Sequence, residues 1–230
     1  MSKNAAVLPV APEWVKSENK RGLLLDVDGT LLDTLPKLQG VWTSWASRYG
    51  LDAELVWATA LVNHPLDTFA RVAPTLDPNV CLSALHEIED DDAQNGDYAA
   101  YDGTTDLLSA LRPGSWAIVT GNYAHRVHIR FGRLGPPIPQ VIIDANAVTN
   151  GKPHPDGYLK AAKALGCHPE ECLALEDSES GIAAAQHAGM TVWAVNASPD
   201  TPGADRANRV YPTLRSATKE AIAWLGPTGE

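Results

Sequence analysis

Three shortages narrow the field before any motif is considered. The chain has only three cysteines, it has fewer basic than acidic residues, and no apolar run approaches the length of a membrane span. Cys81, Cys167 and Cys172 show no metal-ligand spacing, and any disulfide scheme leaves one of them over. Reduced thiols in a cytoplasmic protein are the simplest reading, although Cys167 and Cys172, on either side of Pro169, could approach each other. The 18 Lys and Arg against 28 Asp and Glu give a net charge of −10. That balance argues against nucleic acid or an anionic membrane as a partner. It does not exclude a small phosphorylated molecule held at a local cationic site. The apolar stretch 5–11 is broken by Pro9 and leads to no cleavage signal, so a secretory leader is not expected. Residues 1–18 are expected to form a loosely held arm. Internal repeats and low-complexity segments are also missing.

What is present begins with Leu23-Leu24-Leu25-Asp26-Val27-Asp28-Gly29-Thr30. Three leucines and a valine read as a strand buried on both faces. The run ends on two carboxylates two residues apart. Burying a carboxylate is costly unless a cation or hydrogen bonds offset it, so the pair suggests a bound cation. Gly29 permits a sharp turn and Thr30 can bond it. An isolated Asp-x-Asp-Gly is more often plain turn punctuation, so its meaning depends on what stands at the later strand ends.

Residues 31–49, 52–62, 66–72 and 80–88 place apolar side chains at helical spacing, with Pro65, Pro74 and Pro78 as breaks. The acidic run 89–92 reads as a solvated helix end or loop. No strand pattern is visible between Asp33 and Ala100, so this stretch is expected to be an all-helical insertion. From Asp102 strand and helix alternate. Strands are expected at 115–119, 140–143, 172–175, 191–195 and 209–211, and helices at 104–111, 123–133, 154–165, 180–188 and 214–225. The hydrophobic fraction of 44% is enough for a proper core. The expected fold class is α/β: a Rossmann-like doubly wound parallel sheet with a small all-helical unit inserted after the first strand.

The later strand ends carry complementary groups. Thr120-Gly121-Asn122 places a hydroxyl, a glycine and an amide at the start of a helix, whose free N–H groups can cradle an oxyanion. Lys152, between Gly151 and Pro153, is held on a constrained loop where it could neutralise carboxylates and a phosphoryl group together. Glu176-Asp177-Ser178 ends a second apolar strand on adjacent acids. Oxygen donors from two strand ends suit Mg²⁺, and no His or Cys is placed for a softer metal. Each feature has an ordinary explanation: a helix cap, a surface lysine, acid in a first turn. Their order, each at the end of an expected strand, is what the ordinary explanations do not account for. His154 reads as a residue of a helix N-terminus rather than a substrate contact.

With these residues in place the sequence resembles the haloacid dehalogenase superfamily of phosphotransferases. Asp26-Val27-Asp28-Gly29-Thr30, Thr120-Gly121-Asn122, Lys152 and Glu176-Asp177 stand where its four motifs fall, and the match runs over nearly all of the chain after Arg21. The insertion is similar to the four-helix cap of the subclass containing β-phosphoglucomutase and many sugar phosphatases. Asp67-Thr68-Phe69 with Ala73-Pro74, and Gly151-Lys152-Pro153-His154-Pro155 with Tyr158-Leu159, resemble the glycerol-3-phosphatase and 2-deoxyglucose-6-phosphatase branch. The resemblance implies a discontinuous core of residues 19–32 plus 101–230 and a cap of residues 33–100, hinged near 31–33 and 101–103.

It also implies roles. Asp26 would be the nucleophile forming an aspartyl-phosphate, and Asp28 the general acid and then base. Asp26, the Asp28 backbone carbonyl and Asp177 would hold Mg²⁺, with Glu176 direct or through water. Thr120 and the N–H groups of Gly121 and Asn122 would bind phosphoryl oxygens, and Lys152 would clamp the group and neutralise Asp26. The implied activity is a Mg²⁺-dependent phosphatase for a small polyol or sugar phosphate, as a monomer or weak dimer. A phosphomutase of the β-phosphoglucomutase type is the alternative. Dehalogenases lack the second acid present here as Asp28. Phosphonate hydrolases use a cap lysine, and the insertion has only Lys37, near its edge. A catalytically idle binding module would not need both acids. The chain departs from its sugar-phosphate relatives at Asn63-His64-Pro65-Leu66, where they carry a His-Gly-Arg-like turn. Without that arginine a small neutral polyol phosphate is expected over a highly anionic one. His64 and Asp67 are the candidate specificity contacts, a plain connector being the other reading.

Overall fold

A computed structural model describes residues 20–61, 63 and 65–226. The arm expected at 1–18 lies outside the described residues, as does His64.

The sheet is six-stranded and parallel throughout. Its strands are β1 (Gly22–Leu25), β4 (Trp116–Val119), β5 (Ile142–Ile143), β6 (Cys172–Glu176), β7 (Thr191–Ala194) and β8 (Arg209–Val210), in the order β5-β4-β1-β6-β7-β8. The first strand is therefore central. Leu24 lies opposite Ala117 on one side and Ala174 on the other. The chain builds outward from β1 first through β4 and β5, then through β6 to β8, so the order reverses at β1. That reversal opens a crevice at the carboxyl ends, where open α/β sheets bind ligands.

The alternation of side chains splits the core into two layers. Leu23, Leu25, Ile118, Leu173 and Leu175 pack with helices α5 (Thr104–Ala110), α6 (Ala124–Leu134) and α9 (Leu214–Trp224). Leu24, Ala117, Val119 and Ala174 pack with α7 (Asp156–Leu165) and α8 (Glu179–His187). Both faces are covered, which is why β1, β4 and β6 read as unbroken apolar runs. Cys167 and Cys172 do approach each other: both are free thiols, and their sulfurs flank Gly22, where a Cβ would lie 3.2 Å from each.

Helices α1 (Leu35–Arg48), α2 (Ala53–Ala60), α3 (Pro65–Val72) and α4 (Pro78–Asn95) have a core of their own. Trp45 stacks on Phe69 with centroids 4.9 Å apart and donates through its indole N–H to the Cys81 carbonyl at 3.0 Å. Asp52 caps α2 by accepting from Glu54 N and Leu55 N. Asp77 caps α4, with a proline in the first turn. No described helix is long and apolar enough to cross a membrane.

Two expectations need correction. The first helix does not begin at residue 31, and the stretch to residue 100 is not free of strand. Leu31 N and Leu32 N both turn back onto the Val27 carbonyl, and β2 (Leu32–Asp33) then pairs antiparallel with β3 (Ala99–Ala100). A two-residue strand is too short for alternation to register in sequence, and its partner lies far along the chain. This ribbon carries the chain out to the helical unit and back. Leu31's carbonyl accepts from Tyr101 N at 3.0 Å and Thr104 Oγ1 at 2.8 Å, and Tyr101 OH donates to Asp33 Oδ1 at 3.2 Å.

Candidate active site

The site is assembled at the carboxyl ends of β1, β4 and β6 and from the segment between β5 and α7. Asp26 is still tied to the sheet, its N–H donating to the Leu175 carbonyl at 3.2 Å, and it is only 6% exposed. Glu176 closes β6 and is fully buried. Lys152 comes from the loop before α7 and spans the two, with Nζ 2.5 Å from Asp26 Oδ1 and 2.6 Å from Glu176 Oε1. Tyr158 OH donates to the same Glu176 oxygen at 2.6 Å. The other Glu176 oxygen accepts from Ser178 Oγ at 3.2 Å and Asp177 N at 3.3 Å. Both Glu176 oxygens thus have protein donors.

Asp177 turns the other way and accepts from Thr30 Oγ1 at 3.2 Å. Gly29, at φ +87°, leaves it room, since a Cβ there would lie 2.0 Å from Asp177 Oδ2. Oxygens of Asp26, Glu176 and Asp177 lie within 4.8 Å of one another. Their crowding has electrostatic consequences. Burial, reinforced by the neighbouring Glu176 and Asp177, holds the Asp26 carboxyl well above its ordinary range despite the attraction of Lys152. Burial and Glu176 push Asp177 up to about 7. Burial alone would lower Lys152, but Asp26 and Glu176 outweigh it and raise the ammonium above its usual value.

The Asp28 side chain is not part of this cluster. Its Oδ1 accepts from Arg130 Nη1 at 3.0 Å and its Oδ2 from Asn122 Nδ2 at 3.3 Å. Thr120, after β4, is buried, and its Oγ1 accepts from Asn122 N at 3.0 Å. Asn122 Oδ1 in turn accepts from Tyr123 N, and Asp144 Oδ2 from Ala124 N. The N–H groups of Asn122, Tyr123 and Ala124 are therefore engaged, and the free cradle expected at this helix start is reduced to Thr120 and Gly121. His154 pairs with Asp156 at 3.2 Å on the surface. Asp67 is exposed on α3 and does not line the cavity described next.

A cavity of about 450 Å³ lies between the sheet edge and the helical unit. Asp26, Asp28 and Lys152 lie at one end of it, and Leu35, Leu38 and Leu85 give it an apolar flank. Its remaining wall is built by residues outside the sequence motifs. Arg126 and Arg130, one helical turn apart on α6, are 2% and 5% exposed. Arg126 donates to Glu89 Oε2 and Asp90 Oδ1 of α4, each at 2.6 Å. Arg130 lies 4.6 Å from the centroid of the Tyr98 ring and donates to the Tyr98 hydroxyl at 3.1 Å, and that hydroxyl donates to Asp92. The acidic run 89–92 is thus no solvated helix end. It lies inside α4 and holds the arginines of α6. The sequence does hold a signal for this wall: Arg126 and Arg130 interrupt the buried face of a helix that also carries Val127 and Phe131.

Sheet topology and the position of the acidic cluster define an α/β enzyme with its site at the carboxyl edge of a doubly wound sheet. The chain belongs to the haloacid dehalogenase-like hydrolases, whose family pattern it matches over residues 20–189. It is 35% identical over 203 residues to hexitol phosphatase A of Escherichia coli (strain K12), covering 86% of this chain and 93% of that protein. It is 30% identical over 180 residues to glycerol-1-phosphate phosphohydrolase 2 of Saccharomyces cerevisiae, covering 74% and 72%. Among solved structures, a family hydrolase from Deinococcus radiodurans R1 with bound phosphate and sodium superposes with a TM-score of 0.65 at 27% identity, covering 92% of this chain and all of that one.

Proposed function

We propose that the protein is a Mg²⁺-dependent phosphatase that hydrolyses a small polyol or sugar phosphate through an aspartyl-phosphate on Asp26. The observation that carries this reading is the Lys152 bridge between Asp26 and Glu176 beside Asp177, with Asp28 held apart from them. The names of the hexitol and glycerol phosphatases support the substrate class.

The residues fit a hard divalent cation. The donors are all oxygen, three carboxylates crowd one small volume, and the side-chain-free Gly29 makes room for one of them. Asp26, Asp177 and the Asp28 backbone carbonyl would hold the ion, while Glu176, with its oxygens already occupied, acts through Lys152. When bound, the metal screens the repulsion between a carboxylate and an anionic ester and stabilises charge on the transferring group.

Asp26 attacks phosphorus, and the ester oxygen leaves as Asp28 gives it a proton. Asp28 then takes a proton from the water that releases phosphate from Asp26. Asn122 and Arg130 orient Asp28 toward the cavity. Thr120 and Gly121 contact the non-bridging oxygens, and Lys152 offsets part of the burial and acid repulsion that raise Asp26 and balances the phosphoryl charge. The helical unit serves as a cap whose α1 and α4 exclude water from the cavity. The test is a panel of phosphorylated polyols and sugars, with released phosphate and isomerised product read together. Phosphate alone supports the phosphatase, isomerised product moves the assignment to a mutase, and neither product from any ester removes it.

A further inference from the structure

The basic side chains around the cavity are already met by acids, Lys152 by Asp26 and Glu176. At the α4–α6 wall both guanidiniums arrive already paired. Arg126 sits between Glu89 and Asp90, and Arg130 is bonded to Asp28 with Asp92 4.0 Å away. Counting the strand-end cluster as well, carboxylates outnumber the fixed cations Lys152, Arg126 and Arg130 among the described residues. A ligand with a second anionic group would have to displace one of these carboxylates or lie beside it, and juxtaposed like charges oppose binding.

A hydroxyl meets no such obstacle, since it donates and accepts at once. It can give its proton to Glu89 or Asp92 and accept from a guanidinium. One donor is left unmet: the Nε of Arg130 is enclosed and has no hydrogen-bond partner, so a hydroxyl would reach it through a small shift of the guanidinium. A buried N–H left unpaired is costly, so an oxygen acceptor placed there is favoured. The apolar lining, Leu35 and Leu38 of α1 with Leu82 and Leu85 of α4, suits the C–H edge of a carbon chain.

We propose that Arg126 and Arg130, pre-paired with Glu89, Asp90 and Asp92, form the leaving-group subsite, and that it selects an uncharged polyhydroxyl chain, one hydroxyl accepting from Arg130 Nε, while rejecting leaving groups with a second phosphate or a carboxylate. This deepens the phosphatase reading and rests on it for the name of the leaving group, though not for the order of binding.

The experiment compares a hexitol monophosphate, the matching bisphosphate, a phosphorylated hydroxy acid and phenyl phosphate. Turnover is measured on the wild-type protein and binding by calorimetry on Asp26→Asn. Phosphonate analogues on wild-type protein replace that variant if it does not fold. The monophosphate should bind about tenfold or more tighter than the bisphosphate and the acid. Glu89→Gln should narrow that gap about fivefold by freeing one side of Arg126, and Asp92→Asn makes the same comparison at Arg130. Arg130→Lys keeps the charge but removes the Nε–H fork, and should weaken the hexitol ester about tenfold more than phenyl phosphate. These losses are read as binding on the Asp26→Asn background: equal losses of binding for both esters, with turnover falling mainly on the hexitol ester as it would for Asp28 itself, would reduce Arg130 to a support for Asp28 and overturn the hydroxyl contact. Bisphosphate bound as tightly as monophosphate would overturn the subsite. If the binding order holds and no ester is hydrolysed, the subsite stands and the phosphatase reading falls.

Discussion

The sheet edge and the α4–α6 wall line one cavity and are made by different means. At the edge the acids and the hydroxyl are placed by backbone, and only Lys152 reaches in on a long side chain. Asp26 is bonded into the ladder, Glu176 is the last residue of a strand, and Thr120 follows one directly. At the wall the groups are long side chains on two helices, one from the inserted unit and one from the core, and their positions depend on how the two pack. Local geometry therefore determines the chemistry, and tertiary fit determines what is admitted to it.

Four measurements put that contrast at risk. Asp26→Asn keeps the side-chain shape and should cost roughly 10³-fold or more in kcat on every ester alike. A loss confined to some substrates would mean that the edge also selects. Chelation should silence wild-type protein toward all esters, and Mg²⁺ should restore turnover and raise the melting temperature. Metal-independent turnover would take the acidic cluster out of the reaction. Asp28→Asn should cost on the order of 10²–10³ in kcat on a polyol phosphate and much less on an aryl phosphate, whose leaving group needs little help from a proton. Equal losses would deny Asp28 its role as the acid. Trp45→Ala removes the centre of the insertion's core and should cost about 3–5 kcal/mol of stability. Denaturant titration followed by tryptophan fluorescence should show an early transition confined to the helical unit. A single unchanged transition would show that the two cores unfold as one.

The same contrast explains what could be read from the sequence. Strands buried on both faces write continuous apolar runs, and their ends are short enough that Asp26, Asp28, Thr120, Lys152 and the Glu176-Asp177 pair could be placed from the order of residues alone. The arginine wall left only the trace of two arginines on an apolar helix face, and nothing local says that Glu89 and Asp90 will meet Arg126. Read alone, four acids in a row are a polar surface. The cation missing from the turn at Asn63-His64-Pro65 pointed to a neutral ligand, yet two cations are present on α6, Arg126 quenched by α4 and Arg130 by Asp28. The ribbon of β2 and β3 was equally out of reach, being two residues long and held by a pairing between segments far apart in the chain.

That ribbon has an evolutionary consequence. The polypeptide departs from and rejoins the sheet at neighbouring positions, Leu32 opposite Ala100, so the scaffold meets the insertion as a graft held by two stitches. Any helical cassette whose ends come as close together could be spliced in there without disturbing the strands beneath. Under the proposed function, new specificities would arise by exchanging the helical unit while the strand-end cluster is kept.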